Sequence, residues 1–498
     1  MMIGKRQMQL KCTFTFWVLV VMGIAGDSLF SQDLQYDYTP LRSYQAPKKL
    51  IQDIQAQYRA WGQETQIENK KVKAAFEDFI RQKSTFIYVM DSIQSLMYSD
   101  TISRFLNEVK NQIVENNKIL QGQTYHVFTY RSLEPNAFSL GEGVILVSTG
   151  MLERLTTTDQ VAFVMAHEMG HDLLQHVYKN GLYYCESLYA DGFKRKIQKL
   201  HRKEAGRSTE LKATLNQFKA QHMQYSRQNE FQADSIGFRL IAAAGYQKPE
   251  AINVLNILDQ SDHLRFTDTL VLQDFFHFEN YPFKTYWLDK ENSMMSWEED
   301  PSLTTIPDSL KSHPECSIRI ARLETQSANV PGIEKGSIST RQDLQSIAGI
   351  IPFEVVESLV NSHEYVLALY LALHMQKEYP QNLYLKCVAD HCLYELGDAI
   401  RRNEFLEYVE FPDKDFSIGY NHLLVFLHNM NSSSLKNLFH HYLQAIEAPD
   451  DHVYSAFLQV LDQQPVTGKM ASDFDSKYHD PYFTSLLKDK IQPNTTKK

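Results

Sequence analysis

Val161-Ala162-Phe163-Val164-Met165-Ala166-His167-Glu168-Met169-Gly170-His171 is the stretch on which the reading of this chain turns. Its apolar first half predicts a buried helix. Thr156-Thr157-Thr158-Asp159 just before it supplies N-cap candidates for a helix running from about Gln160 to Tyr178. Residues four apart lie on one face of a helix, so the imidazoles of His167 and His171 can bind one cation. Glu168 sits next to the first of them and can project toward a water held by that cation. Zinc lowers the pKa of such a water to about 7, and a carboxylate can then take its proton.

A reactive zinc site needs three protein ligands and one open position. Candidates for the third are Glu230, His176, His201, His222, His277 and His313. At 3.6 residues per turn His176 falls about 140° round a continuous helix from His171, which gives it a structural or supporting part. Glu230 is better placed, on a separate apolar helix from about Ser226 to Ala244 that Gly245 closes as a C-cap. Asp234 follows four residues later on the same face, where it can accept a hydrogen bond from the free N–H of a ligand imidazole. An ordinary charged helix would show the same letters. Two imidazoles and a carboxylate suit zinc, and one ion per chain is the expected load.

Upstream of the motif, Tyr36 to about Asn117 reads as helices, with apolar residues from Ile102 to Ile119 in a 3.6-residue pattern. Tyr125–Tyr130 and Val144–Ser148 are β-branched and aromatic, and the turn-rich connector Glu134–Gly143 lies between them. A small antiparallel sheet is expected there, so the fold class is α+β and mainly helical.

Downstream, residues 186–229 are highly charged and predict one or two surface helices. Residues 275–287 hold the aromatic run Phe275-Phe276-His277-Phe278-Glu279-Asn280-Tyr281-Pro282-Phe283. Such a run can be a lid or an anchoring cluster; packing is what aromatics do more often, which favours the anchor. Polar residues with Pro331, Gly332 and Gly336 suit a linker. Beyond about 345 only helices are expected. One from Glu364 to Tyr379 ends at Pro380 and another starts at Leu383 and stops before Gly397, the rhythm of helix-hairpin repeats in two or three imperfect units. The expected domains are therefore a signal segment at 1–31, a domain at 33–324 around the motif, a linker at 325–344 and an all-α helical-repeat domain at 345–490.

Lys5, Arg6 and Lys11 precede the apolar run Phe14–Ala25, which is nearer a signal-peptide core than a spanning helix; an uncleaved anchor is the alternative. The net charge of −10, from 60 acidic and 50 basic side chains, argues against a nucleic-acid partner. Five cysteines show neither zinc-finger spacing nor a disulfide framework.

The ordered set Asn136-Ala137-Phe138, His167-Glu168-Met169-Gly170-His171, Asn229-Glu230-Phe231-Gln232-Ala233-Asp234 and His313-Pro314 resembles the M48 family of zinc metallopeptidases, over roughly residues 85–324. The resemblance implies a zincin-like fold, with His167, His171 and Glu230 as zinc ligands, Glu168 as general base and Asp234 as support. It also implies that Asn136-Ala137-Phe138 leads into a strand beside the cleft, where an extended substrate pairs by backbone hydrogen bonds. The chain looks closest to the exported soluble branch that joins the peptidase to tetratricopeptide-type repeats and serves envelope-protein quality control in the periplasm of Gram-negative bacteria. Substrates would then be misfolded or unassembled envelope proteins, with further protein partners held by the repeats. Leu140-Gly141-Glu142-Gly143 departs from the Pro-Gly-Gly often found in the family. Pro314 biases His313 to an extended conformation, from which it could donate to a developing oxyanion, occupy the fourth metal position, or simply cap the next helix. Arg319 could fix that segment by pairing with a carboxylate. The competing class is a chaperone-like binder with a nearly idle metal site; an intact Glu168 favours the enzyme, since a binder needs no base.

Overall fold

In the computed structural model, residues 33–41, 48–64, 67–92, 95–98, 100–189, 227–260, 270–289, 316–327, 330, 344, 347–413 and 416–491 are described. The expected signal segment, His201, His222, His313 and most of the expected linker lie outside them.

Two long helices, α1 (Lys48–Glu64) and α2 (Lys70–Ser92), lead into strand β1 (Leu96–Met97) and α3 (Asp100–Glu115). Ile102, Phe105, Leu106, Val109 and Ile113 are all buried, as their period predicts, while Ile119 falls past the helix end and is 59% exposed. Strands β2 (His126–Tyr130), β3 (Ala137–Gly141) and β4 (Val144–Ser148) complete a four-stranded sheet of order β1-β2-β4-β3. The sheet is mixed, not antiparallel as expected. β2 and β4 run parallel, His126 opposite Val144 and Tyr130 opposite Ser148. The reason lies in the connector, which is itself a strand: β3 reverses the chain and pairs antiparallel with β4, leaving β4 to run alongside β2. With neighbours on both sides, β4 is buried at all five positions, the near-continuous apolar run of an interior strand. Ile54, Tyr58, Val72, Phe76 and Ile80 of α1 and α2 pack with Phe128, Tyr130, Val144 and Leu146 of the sheet in one apolar core.

After α4 (Thr149–Arg154) comes the motif helix α5 (Thr158–Leu173), then α6 (His176–Tyr189). Thr157 caps α5 by accepting from the Gln160 N–H at 3.2 Å. The expected single helix from 160 to 178 is thus two. Gln175 takes a left-handed φ of 55° and the chain restarts at His176 in a new direction. The helix that carries Glu230, α7 in its described part 227–244, ends as expected at Gly245 with φ 86°. There follow α8 (Pro249–Asp259), α9 (Leu272–Phe276) and α10 (Cys316–Ser327).

The later helices are α11 (Ile351–Asn361), α12 (Tyr365–Glu378), α13 (Leu383–Arg402), α14 (Phe405–Tyr408), α15 (Ile418–His428), α16 (Ser432–Gln444), α17 (Val453–Asp462), α18 (Gly468–Tyr478) and α19 (Pro481–Asp489). Gly397 does not end α13; a Cβ there would lie 3.3 Å from Leu435 Cβ, so the glycine marks a close approach to α16. The chain divides into two compact units. The larger is Pro40–Leu371 with Cys392–His441; the smaller takes in the described parts of Met1–Thr39, Ala372–His391 and Tyr442–Lys498.

The larger unit thus runs beyond the expected join at 325–344, and two ties show why. Arg131, just past β2, pairs with Glu354 of α11 at 3.0 Å, and Glu354 also accepts from the Leu41 N–H at 2.7 Å. Phe426 of α15 is stacked by Phe276 at 5.3 Å and Phe283 at 6.1 Å and met edge-on by Trp287. Asn429 closes that contact by donating to the Trp287 and Asp289 carbonyls. The aromatic run is therefore an anchor on α15. In the smaller unit, Tyr38 meets Tyr384 edge-on, Asn382 donates to the Leu34 carbonyl, and Tyr454 packs with His391 and Phe483.

Candidate metal centre

The site is made where α5 crosses α7, and small residues let the crossing be close. A Cβ on Gly170 would meet the Ala233 carbonyl oxygen at 3.0 Å, and one on Gly237 would meet the His167 backbone nitrogen at 2.9 Å. A glycine inside a helix weakens it by about 1 kcal/mol relative to alanine, so two at one contact have a packing reason. That contact brings the side chains of α7 within reach of the histidines.

His167 Nε2 and His171 Nε2 lie 3.0 Å apart. Glu230 sets Oε2 3.4 Å from the first and Oε1 3.3 Å from the second. Bonds of about 2.0–2.1 Å to a tetrahedral zinc place neighbouring ligand atoms about 3.3–3.4 Å apart, close to this triangle. His167, Glu168 and His171 alone also form a group whose ligand atoms fall within 4.8 Å of one another. Of the two carboxylates, Glu230 is the better third ligand, because it faces both imidazoles at once. The Glu168 Oε1 stands back, 4.0 Å from His167 Nε2.

Each imidazole is gripped from behind. His167 Nδ1 lies 2.9 Å from Asp234 Oδ1, although its N–H is not aimed squarely at that oxygen. Asp234 is held in turn by a bidentate Arg319, Nε to Oδ2 at 2.7 Å and Nη2 to Oδ1 at 2.8 Å. Arg319 also reaches Glu230, Nη1 to Oε2 at 3.4 Å. Its carboxylate partners are therefore those of α7. His171 is backed differently. Because α5 breaks at Gln175, His176 swings back and sets its Nδ1 2.9 Å from His171 Nδ1, while its Nε2 meets Gln232 Oε1 at 3.0 Å. The helical-wheel angle does not hold for His176, because the helix is not continuous across Gln175. His277 is elsewhere, accepting from the Phe283 N–H.

Charge follows this geometry. Burial alone would lower the His167 pKa, but Asp234 and Glu230 outweigh it and push it up to about 10. Burial opposes ionisation of Glu230 and Asp234, yet the histidines hold the first well below the usual carboxylate range and Arg319 with His167 lowers the second. Burial and the neighbouring His171 push His176 down to about 4. The low Glu230 and Asp234 values and the raised His167 value are those of the metal-free cluster, in which protonated His167 and Arg319 balance the two carboxylates. A cation bound at the imidazoles would take the place of the His167 proton, and the nitrogen and oxygen donor set fits zinc.

Asn136, Ala137 and Phe138 line the same cavity of about 440 Å³, with Glu168, Phe163 and Leu255 on its other walls. Ser148 fixes the entry to β3: its Oγ accepts from the Asn136 and Met151 N–H groups and donates to the Glu134 carbonyl. Among the described residues β3 is one of the two edge strands of the sheet, β1 the other. Sequence reading missed Gln232, Gly170 and Gly237. The signal for Gly237 was present, a glycine in the interior of a periodic helix; Gln232 carried none.

Two crossing helices thus bring an HExxH-type pair and a carboxylate together beside an open sheet edge. Residues 103–327 match Peptidase family M48, and this part of the chain belongs to that family. Over 129 residues the chain is 30% identical to a protein named mitochondrial metalloendopeptidase OMA1 from Arabidopsis thaliana, covering 26% of this chain and 24% of that protein. Over 159 residues it is 26% identical to a protein of the same name from Saccharomyces cerevisiae, covering 28% of this chain and 38% of that one. The chain thus spans well under half the length of these relatives. Among its described residues no helix is long and apolar enough to cross a membrane.

Proposed function

We propose that this chain is a zinc-dependent endopeptidase in which His167, His171 and Glu230 hold one zinc ion and Glu168 is the general base. The observation that carries the reading is the convergence of two Nε2 atoms and the Glu230 carboxylate at 3.0–3.4 Å, with Glu168 alongside. Bound there, zinc would acidify a water and polarise the scissile carbonyl. Glu168 takes the proton from the attacking water as its oxygen bonds to the carbonyl carbon, and returns it to the amine nitrogen as the C–N bond breaks. Arg319 and Asp234 keep His167 oriented. The outer edge of β3 offers its backbone to an extended peptide.

The apolar run Phe14–Ala25 behind Lys5, Arg6 and Lys11 supports export, and with it a periplasmic role in clearing misfolded or unassembled envelope proteins. The helices beyond 345 would hold protein partners. Glu168→Gln tests the chemistry, because it keeps size and ligands but cannot accept the proton. With an unfolded substrate protein, zinc content should stay near one per chain while cleavage falls by about two to four orders of magnitude. A variant as active as the parent removes Glu168 from the reaction. A parent that binds zinc and unfolded clients but never cleaves them identifies a chaperone-like binder.

A further inference from the structure

His176 and Gln232 touch no reacting atom in the scheme above, yet they form a directed chain behind one ligand. An imidazole that offers its Nε2 lone pair to a metal must carry its proton on Nδ1. Among the described residues the acceptor for that proton at His171 is His176 Nδ1, 2.9 Å away. His176 must therefore be unprotonated at Nδ1 and carry its own proton at Nε2, which points to Gln232 Oε1 at 3.0 Å. A carbonyl oxygen only accepts, so it selects this order. The reverse order, with His176 donating to His171, would put the His171 proton on Nε2 and take that atom away from a metal.

We infer that His176 and Gln232 are positioning residues of the metal centre, a neutral hydrogen-bond relay that fixes the ring angle and tautomer of His171. The inference rests on His171 being a ligand. It makes the two histidines unlike: His167 is backed by a carboxylate and a guanidinium, His171 by an uncharged imidazole and an amide. A carboxylate added behind His171 would crowd a centre where Glu168, Glu230 and Asp234 already stand within 4.0 Å of His167. The neutral relay orients the ring without that addition, leaving the bound cation more of its acidifying power.

The test is zinc affinity of the full chain, measured by competition with a chromogenic chelator, with the visible absorption of the cobalt(II)-substituted protein as a second readout. His171→Ala, His176→Phe, His176→Asn, Gln232→Leu and Gln232→Glu are compared. His176→Phe keeps the ring volume without an acceptor and should weaken zinc by about 10- to 100-fold, with altered cobalt bands. His176→Asn sets an amide oxygen near the lost Nδ1 and should stay within about threefold of the parent. Gln232 is exposed, so Gln232→Leu leaves the core alone; it should weaken zinc by about tenfold, at the lower end of the range for outer partners of a ligand. Gln232→Glu, still an acceptor, should bind zinc at least as tightly as the parent.

Parent-like zinc affinity and cobalt bands in His176→Phe and Gln232→Leu would overturn the relay. So would equal losses in His176→Phe and His176→Asn, since only one of them lacks the acceptor. If His176→Phe does not fold, the Gln232 pair decides alone. Parent-like affinity in His171→Ala would instead sink the ligand reading, a separate failure.

Discussion

The crossing of α5 and α7 and the aromatic anchor on α15 are both buried, but they are made of opposite materials. At the crossing, glycines and an alanine bring two backbones together so that a few polar atoms meet at fixed distances. At the anchor, Phe276, Phe283 and Trp287 surround Phe426 with broad apolar faces, and little depends on any one angle. The crossing holds geometry and gains little from area. The anchor holds area and demands little geometry. A third kind of contact is the buried Arg131–Glu354 pair, a polar tie that joins α11 to the chain just past β2.

The sharpest break of this contrast is at Glu354, which is 0% exposed. Glu354→Ala leaves the Arg131 guanidinium and the Leu41 N–H without their carboxylate, and removing one partner of a buried pair costs about 3–5 kcal/mol. A urea midpoint within experimental error of the parent would show that water has replaced the carboxylate. Phe276→Ala follows, with about 3–5 kcal/mol lost at a fully buried ring and zinc content unchanged. Loss of zinc in that variant would mean the anchor reaches the centre, erasing the distinction.

Gly237→Ala should be milder for the fold and worse for the site. Overpacking one methyl group costs about 1–3 kcal/mol. The methyl sits 2.9 Å from the His167 nitrogen, so zinc affinity should fall in proportion to any shift of α5. Undiminished affinity by chelator competition would show that the crossing has slack. The smallest effect belongs to Phe426→Leu, about 1.5 kcal/mol or less for a change among apolar side chains, with zinc and cleavage at parent values. A larger loss, read from thermal melts, would mean ring stacking matters at the anchor as much as apolar area.

Much of the centre could be read from letters because its chemistry is local. His167 and His171 sit one turn apart, and so do Glu230 and Asp234, so helix geometry alone places each pair on one face. What escaped depends on chain direction. The break after α5 falls at Gln175, a residue with no particular preference for positive φ, and neither glycine nor proline announces it. The β3 strand hides in a connector whose Pro135, Gly141 and Gly143 read as turn, and without it β2 and β4 could only be drawn antiparallel. Gly397 reads as a stop, yet its role is the absent side chain facing Leu435. Arg319 was expected to pair with a carboxylate, but the sequence did not say which; the partners are Asp234 and Glu230 on α7.

The bulge in β3 has a consequence for how the molecule lives among its neighbours. Pairing with β4 keeps a regular register from Ala137 to Ser139, shifts before Gly141, and ends in the left-handed run Gly141, Glu142 and Gly143. Only about 10 Å of straight edge is left, three residues at about 3.3 Å each. An open strand edge is a template on which copies of a chain can stack into fibres, and short or kinked edges defeat such growth. Under the proposed function three residues would suffice to grip a passing peptide for one turnover, but they are too few to seed a growing sheet.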